Sequence, residues 1–270
     1  MNTDLETLTK AQAFIDIGNY ERIIEMRHDL ERIPKSEEAC SILATAFEEL
    51  QQYEAAILLL TKAIELNAGE VDYLYRRGRI QLCFLQMDPE CSVGGIKDLE
   101  ACIKLDQNIF MAHYLLCLEQ ILQSVNLAKA KSHLLKLLEL DPISPATFYC
   151  SGQFHLAIGD FPTAIDSFEA GVKVDSVYRA ALFYGLASTR KSMGTAQDAL
   201  LGVDAISRAI KIEPSPMHYC LRSSLNIFLG DLTSAQVDLE IAKSFSCNES
   251  EELYMKSVEK KLEDRRQDEK

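Results

Sequence analysis

The sequence has few of the residues that interrupt helices, with only 12 glycines and 7 prolines in 270 residues. Between them lie long stretches rich in Ala, Leu, Glu and Lys, which are strong helix formers. Hydrophobic residues make up 47% of the chain, which is enough to build a large core and argues against disorder. The sequence therefore predicts an all-α protein.

Long hydrophobic runs are also missing. No stretch approaches the roughly 18 consecutive apolar residues that a membrane-spanning helix needs. The first ten residues, MNTDLETLTK, lack the basic segment and the apolar run of a secretory signal. We therefore expect no membrane insertion.

The eight cysteines form no recognisable motif. They are scattered, without a C-x-x-C pair and without a histidine at the spacing of a zinc site. In a helical chain of this size, such cysteines are typically reduced and pack as small hydrophobic side chains. The pattern predicts no metal site and a reducing compartment, either the cytoplasm or the nucleus.

Positive charge is scarce, since 28 basic residues face 41 acidic ones and the net charge is −13. Such a field repels a phosphate backbone unless basic residues concentrate on one surface. We therefore expect no nucleic acid partner. RNA binding by a helical-repeat surface stays as a less favoured alternative.

Catalytic motifs are absent as well. The chain contains no G-x-x-x-x-G-K-[ST], no G-x-S-x-G and no H-E-x-x-H. Its five histidines have no recurrent acidic or nucleophilic partner in the sequence. We expect no catalytic residues and no cofactor, so the chain is predicted not to be an enzyme.

What the chain does contain is a repeated pattern. A glycine, a short polar residue and a bulky apolar residue begin similar segments at Gly18, Gly159 and Gly230, and apolar or small residues then recur at helical spacing. Helix ends of the type apolar-charged-apolar-polar form a second marker. Their central residues are separated by 39, 35, 34 and 38 positions: Leu66, Leu105, Leu140, Val174 and Ile212.

Two segments account for the extra positions. They are residues 87–95 and 195–204, where the repeated pattern is lost. Proline and the pair Gly94-Gly95 are helix breakers, so we expect residues 87–95 to interrupt a helix.

The period of about 34 residues, with small residues recurring at the same places of the pattern, resembles that of the tetratricopeptide repeat (TPR) family. Gly152, Ala164 and Phe168 occupy positions of that pattern, and Asp160 is predicted to cap the second helix with Pro162 in its first turn. The first copy matches least well, with Arg27 where a large apolar residue is expected.

The resemblance implies a right-handed α-solenoid of about seven helix-turn-helix repeats over residues 1–247. Residues 248–270 are predicted to form a C-terminal capping helix and a charged tail. In that segment Leu253, Val258 and Leu262 are expected to supply the apolar edge.

In TPR proteins that this chain resembles, the first helix of each pair lines a concave groove that holds a peptide or helix of a partner. Three copies place a tyrosine at one groove position, which suits recognition, although packing against the next helix is an equal alternative. The residues mapped to the groove are Ser41, Thr45, Glu48, Tyr75, Arg79, Glu119, Tyr149, Gln153, Tyr184, Ser188, Lys191 and Ser224.

The stretch Tyr75-Arg76-Arg77 resembles the third repeat of chaperone-binding TPR domains, where an arginine helps to clamp a C-terminal carboxylate. We expect Arg76, Arg77 and Arg79 to pair with acidic neighbours on adjacent helices instead. The reason is that the other positions of that clamp, where chaperone-binding domains have lysine or asparagine, do not match. In this sequence they are Asp72, Ile42, Leu8 and Gln12.

The leading hypothesis from the sequence is a non-catalytic adaptor that binds a peptide or helix of a partner protein in the groove. The alternative is a structural TPR subunit of a large assembly, resembling those of a ubiquitin ligase or a ciliary complex. The two differ in whether the groove or the outer surface makes the contacts.

Overall fold

The computed structural model of the chain describes residues 2–84, 89–123 and 126–268. Over these residues the chain is all-α, as predicted, and contains no strand. The helices, in chain order, are α1 (Asn2–Asp16), α2 (Tyr20–Glu25), α3 (Arg27–Glu31), α4 (Glu37–Glu49), α5 (Tyr53–Leu66), α6 (Val71–Cys83), α7 (Pro89–Leu105), α8 (Phe110–Leu122), α9 (Leu127–Leu140), α10 (Pro145–Ala157), α11 (Phe161–Gly171), α12 (Arg179–Met193), α13 (Ala196–Ile212), α14 (Pro216–Leu229), α15 (Leu232–Lys243) and α16 (Glu249–Asp268).

The helices belong to two compact units, an N-terminal unit of residues 1–119 and a C-terminal unit of residues 120–270. In the N-terminal unit α4 packs on α5 and α6 packs on α7. In the C-terminal unit the packed pairs are α10 with α11, α12 with α13, and α14 with α15. Each pair consists of consecutive helices, as in a helix-turn-helix repeat.

Short Gly-polar connections join the two helices of a pair. At the turn after α10, Gly159 has φ of +78°, a left-handed backbone that favours glycine. The next residue, Asp160, caps α11 by accepting the Thr163 backbone N–H at 3.3 Å, and Pro162 lies in the first turn. The predicted cap is confirmed, and residues 230–231 repeat the arrangement before α15.

Close helix contacts in the C-terminal unit depend on residues without side chains. The ring of Phe168 in α11 is fully buried between Gly152 of α10 and Gly185 of α12. A Cβ atom would lie 2.4 Å from the ring carbons at Gly152 and 2.5 Å from them at Gly185. The small residues of the repeat pattern therefore make room for one aromatic ring among three helices.

The prediction that residues 87–95 interrupt a helix is wrong for the part that the structure describes. Helix α7 begins at Pro89 and continues through Gly94 and Gly95, while residues 87–88 lie outside the described ranges. A Cβ at Gly95 would lie 2.9 Å from Leu82 Cγ and 3.0 Å from the Gly78 carbonyl oxygen. This glycine is required for the close approach of α6 and α7.

The second insertion has a similar outcome. Residues 195–204 supply the cap Thr195 and the first half of α13, which has 17 residues, like α7. The extra residues therefore lengthen the second helix of a pair rather than forming a loop.

The first copy differs from the others, as its sequence suggested. Its second helix is divided at Met26 into α2 and α3, next to Arg27. The Arg27 guanidinium lies 5.6 Å from the ring centroid of Phe47 and pairs with Glu31 at 2.8 Å. A cation at this position is thus placed at the surface of the pair.

Helix α16 packs against α14 and α15. Val258 and Leu262 are buried as predicted, together with Met255. The prediction for Leu253 is wrong, because its side chain is 61% exposed. Residues 255, 258 and 262 share one helical face, whereas residue 253 lies five positions before 258 and therefore points to a different side.

We predict that Gly152→Ala lowers the free energy of unfolding by about 1–3 kcal/mol, because the methyl group overlaps the Phe168 ring. The matched control is Gly94→Ala, also inside a helix, where the three atoms nearest to the new methyl all belong to the Gln81 side-chain amide. That control should be neutral or more stable by up to about 1 kcal/mol, since alanine favours helix. Urea unfolding followed by circular dichroism measures both, and equal effects at the two sites would contradict the packing argument.

Candidate partner-binding surface

The twelve residues mapped to the groove all lie on α4, α6, α8, α10, α12 or α14. Six belong to the N-terminal unit and six to the C-terminal unit. Ser224 is buried and the other eleven are half-buried. The structure thus gives eleven of them partly accessible positions on first helices, and it buries Ser224; their role in binding stays a prediction.

In the N-terminal unit Arg76 joins three of these residues. Its guanidinium donates to Ser41 Oγ at 2.9 Å, to Thr45 Oγ1 at 2.8 Å and to Glu48 Oε1 at 2.8 Å. The other Glu48 oxygen accepts from Arg79 Nη2 at 2.6 Å. Four predicted residues therefore belong to one network across α4 and α6, through an arginine that was not among them.

The network is partly shielded from water. The Glu48 side chain is 9% exposed and that of Arg76 is 13% exposed, whereas Arg79 is 34% exposed. The Arg79 guanidinium also lies 5.9 Å from the ring centroid of Phe84. Glu48 and Arg76 thus form the inner part of the network, and Arg79 forms its accessible edge.

Arg77 points away from this network and holds the helix pairs together. It makes two bonds to Asp98 of α7, at 2.6 and 2.8 Å, and a third to Thr61 Oγ1 of α5 at 2.9 Å. The prediction that Arg76, Arg77 and Arg79 pair with acidic residues on adjacent helices is therefore confirmed. The clamp-like position Ile42 is buried in the core.

The C-terminal unit contains an equivalent of the Arg77 arrangement. Arg222 of α14 binds Asp238 of α15 at 2.6 and 2.9 Å and donates to Ser207 Oγ of α13 at 3.1 Å. Hydrogen bonding to Asp238 raises the pKa of Arg222 above its ordinary value. Each arginine thus connects its own helix pair to the preceding one.

Tyr149 and Tyr184 pack against neighbouring rings while keeping part of their surface. The ring centroid of Tyr149 lies 6.3 Å from that of Phe168, and the centroid of Tyr184 lies 5.6 Å from that of His218. Burial raises the pKa of both phenols, and a hydrogen bond with Gln153 acts in the opposite direction on Tyr149. Both hydroxyls therefore stay protonated and can donate.

Helix α16 lies next to Lys191, one of the residues mapped to the groove. The hydroxyl of Tyr254 lies 3.5 Å from Lys191 Nζ, and this nitrogen lies 5.9 Å from the Tyr254 ring centroid. Burial raises the pKa of Tyr254, and Tyr184 and Cys220 act in the same direction. The predicted groove residue Lys191 is therefore in contact with the chain's own last helix.

A cavity of about 380 Å³ lies beside Lys191, between α12, α13, α14 and α16. Leu225, Ile227 and Phe228 form its apolar wall, and Lys261 and Arg265 line it from α16. The sequence mapping missed these residues. Phe228 follows Ser224 by four positions, so extending the mapped face by one turn would have found it.

The prediction that the cysteines pack as small hydrophobic side chains fits Cys102, Cys117, Cys150 and Cys220, which are fully buried. It is wrong for Cys83, which is exposed, while Cys40, Cys91 and Cys247 are half-buried. Burial raises the pKa of Cys102 and of Cys220 to about 11. These two thiols are therefore protonated at neutral pH and poorly reactive.

Within the described ranges, no group of three His, Cys, Asp or Glu side chains has the arrangement of a metal site. None of the helices in those ranges is long and apolar enough to cross a membrane.

We predict that Glu48→Ala lowers the free energy of unfolding by about 1–3 kcal/mol, because the largely buried Arg76 loses the nearer of its two carboxylate partners and keeps only the exposed Asp72 at 3.4 Å. Glu49→Ala is the matched control, since Glu49 is the adjacent, exposed residue, and should change stability by less than about 0.5 kcal/mol. Thermal and urea unfolding of both variants measure the difference. A stable Glu48→Ala variant would show that the network does not support the fold.

Residues 37–70, which include α4 and α5, match the family model described as tetratricopeptide repeat. No curated protein sequence matches the chain. Among solved structures, a tetratricopeptide repeat protein from Parabacteroides merdae has a TM-score of 0.76 at 17% identity, over 97% of this chain and 99% of the other.

Two further solved structures share the fold at low sequence identity. The APC/C hetero-tetramer Cut9-Hcn1 gives a TM-score of 0.71 at 14% identity, over 92% of this chain and 48% of that chain. Yeast Tom70 gives 0.61 at 14% identity, over 92% of this chain and 60% of that chain. This chain thus spans about half of the matched Cut9-Hcn1 chain. Its fold is that of the tetratricopeptide-repeat proteins, and residues 37–70 are similar in sequence to one repeat of that family.

Proposed function

We propose that the chain is a non-catalytic adaptor that binds an extended or helical segment of another protein along the first helices of its repeats. The observation that carries this proposal is the Arg76–Glu48 network, which holds Arg79 at a partly exposed edge of the N-terminal unit. A side chain fixed in advance loses little conformational entropy on binding, which favours recognition.

The proposed roles of the mapped residues differ. Ser41, Thr45 and Glu48 position the arginines, whereas Tyr75 and Arg79 contact the partner. Glu119, Tyr149, Gln153, Tyr184, Ser188, Lys191 and Ser224 are proposed to extend the contact within their own units.

The net charge of the chain favours one class of partner, and its thiols favour one kind of compartment. With a net charge of −13, a protein segment is a better partner than nucleic acid. The buried, reduced cysteines favour a reducing compartment, the cytoplasm or the nucleus.

A second candidate function is that of a structural subunit in a larger assembly. One observation favours it, namely that several second helices carry an exposed large apolar residue. These are Leu58 of α5, Leu135 of α9, Leu200 of α13 and Val237 of α15. In this alternative the second helices, rather than the first, contact neighbouring proteins.

We predict that the double variant Tyr75→Ala/Arg79→Ala selectively loses a partner, by at least about tenfold in captured amount, because interface anchors of this kind carry most of the binding energy. The control is Leu58→Ala/Lys62→Ala on α5, which pairs an apolar and a cationic residue at the same spacing on the neighbouring second helix. Affinity capture with quantitative mass spectrometry compares both with the wild type, after circular dichroism shows equal helicity.

The two outcomes separate the candidate functions. Loss with the α6 variant and retention with the α5 variant support the adaptor. Retention of every partner with the α6 variant and loss with the α5 variant overturn it in favour of the assembly subunit.

A further inference from the structure

The cavity between α12, α13, α14 and α16 collects positive charge in an acidic protein. Lys191, Lys261 and Arg265 line it, and in the part of the chain that the structure describes none of them has a carboxylate oxygen within 4.0 Å. The neighbouring Arg190, in contrast, is paired with Asp198 at 2.9 Å. With 41 acidic and 28 basic residues in the chain, three such cations at one cavity leave positive charge there for a ligand.

The same cavity offers an apolar surface. Ile227 and Phe228 line it, and Phe228 is 53% exposed, whereas Leu225 behind them is fully buried. Its volume of about 380 Å³ is at the lower end of the range for small ligand sites. It is therefore suited to a large apolar side chain whose neighbours extend over the rim.

The cations are arranged around that apolar wall. Lys261 and Arg265 are four residues apart and share one face of α16, while Lys191 approaches from α12 beside Tyr254. Burial lowers the pKa of Lys191, and the nearby Lys261 acts in the same direction. An anion bound between these two ammonium groups would relieve their mutual repulsion.

The rim also limits the kind of anion. Asp264, which lies between Lys261 and Arg265 in the sequence, also lines the cavity, and the chain as a whole is strongly acidic. A dense polyanion such as a nucleic acid would be repelled by both. A ligand with a few separated carboxylates can meet the cations and avoid Asp264.

We propose that this cavity binds an acidic segment of a partner protein in which glutamate or aspartate residues flank one large apolar side chain. The apolar side chain packs against Ile227 and Phe228, and the carboxylates pair with Lys191, Lys261 and Arg265. The inference rests on the proposed adaptor function, because Lys191 and Ser224 belong to the proposed groove, and it adds the chemistry of the segment.

The test uses the full chain and a terminally blocked, fluorescein-labelled peptide, Gly-Glu-Glu-Phe-Glu-Glu-Gly, in an anisotropy titration at low salt. Lys261→Glu/Arg265→Glu should weaken binding at least about tenfold, since two attractions become repulsions. The matched control is Lys260→Glu/Arg266→Glu, one position away on the same helix, with the same change in net charge and no residue in the cavity. It should weaken binding by no more than about twofold.

Two altered peptides test the two parts of the site. Replacing the four glutamates by glutamine, or the phenylalanine by alanine, should each weaken binding by at least about fivefold. Equal loss with both charge variants would reduce the effect to net charge and overturn the proposal. No binding of the glutamate peptide up to about 1 mM would also overturn the proposal. So would a single-stranded RNA that binds more tightly than the peptide and whose binding is lost in Lys261→Glu/Arg265→Glu.

The failures of the two proposals are distinguishable. The capture experiment at Tyr75 and Arg79 concerns the N-terminal unit, whereas the peptide titration concerns the C-terminal unit. Failure of the peptide with selective partner loss in the first experiment would reject the acidic segment and keep the adaptor.

Discussion

The close approach of paired helices is the constraint on which the rest of the structure depends. The ring of Phe168 in α11 fits against α10 and α12 only because Gly152 and Gly185 have no side chains. In the same way, Gly78 and Gly95 allow the close approach of α6 and α7. A single amphipathic helix pair cannot bury its apolar face alone, so neighbouring pairs must stack. Small residues at the contacts set the spacing at which that stacking occurs.

At this spacing, polar side chains can connect one pair to the next. Arg77 and Arg222 each immediately precede the small residue of a first helix, and each binds an aspartate of the second helix and a hydroxyl of the preceding pair. At the corresponding place in α10 and α11, Ser151 and Ser167 share a hydrogen bond at 2.9 Å. The inner polar residues of the first helices therefore support the fold, which leaves the outer ones for a partner.

Helix α16 combines two tasks on different faces. Met255, Val258 and Leu262 pack with buried residues of α14 and α15 in one apolar cluster. Tyr254, Lys261 and Arg265 instead face Lys191 or its cavity. A helix that was expected only to cap the repeats thus also brings two cations to this cavity, in a chain of net charge −13.

Much of the local structure was determined by the sequence alone. Periodic apolar residues, glycine-polar turns and the cap at Asp160 predicted the helix pairs, because these signals act over one or two helical turns. Tertiary structure decided that α7 runs through Gly94 and Gly95, since the close contact with α6 outweighs their weak helix propensity. It also brought Arg76 to Ser41, 35 residues earlier, and Lys191 to α16. Such contacts depend on how distant helices pack, which the spacing of residues along one helix does not encode.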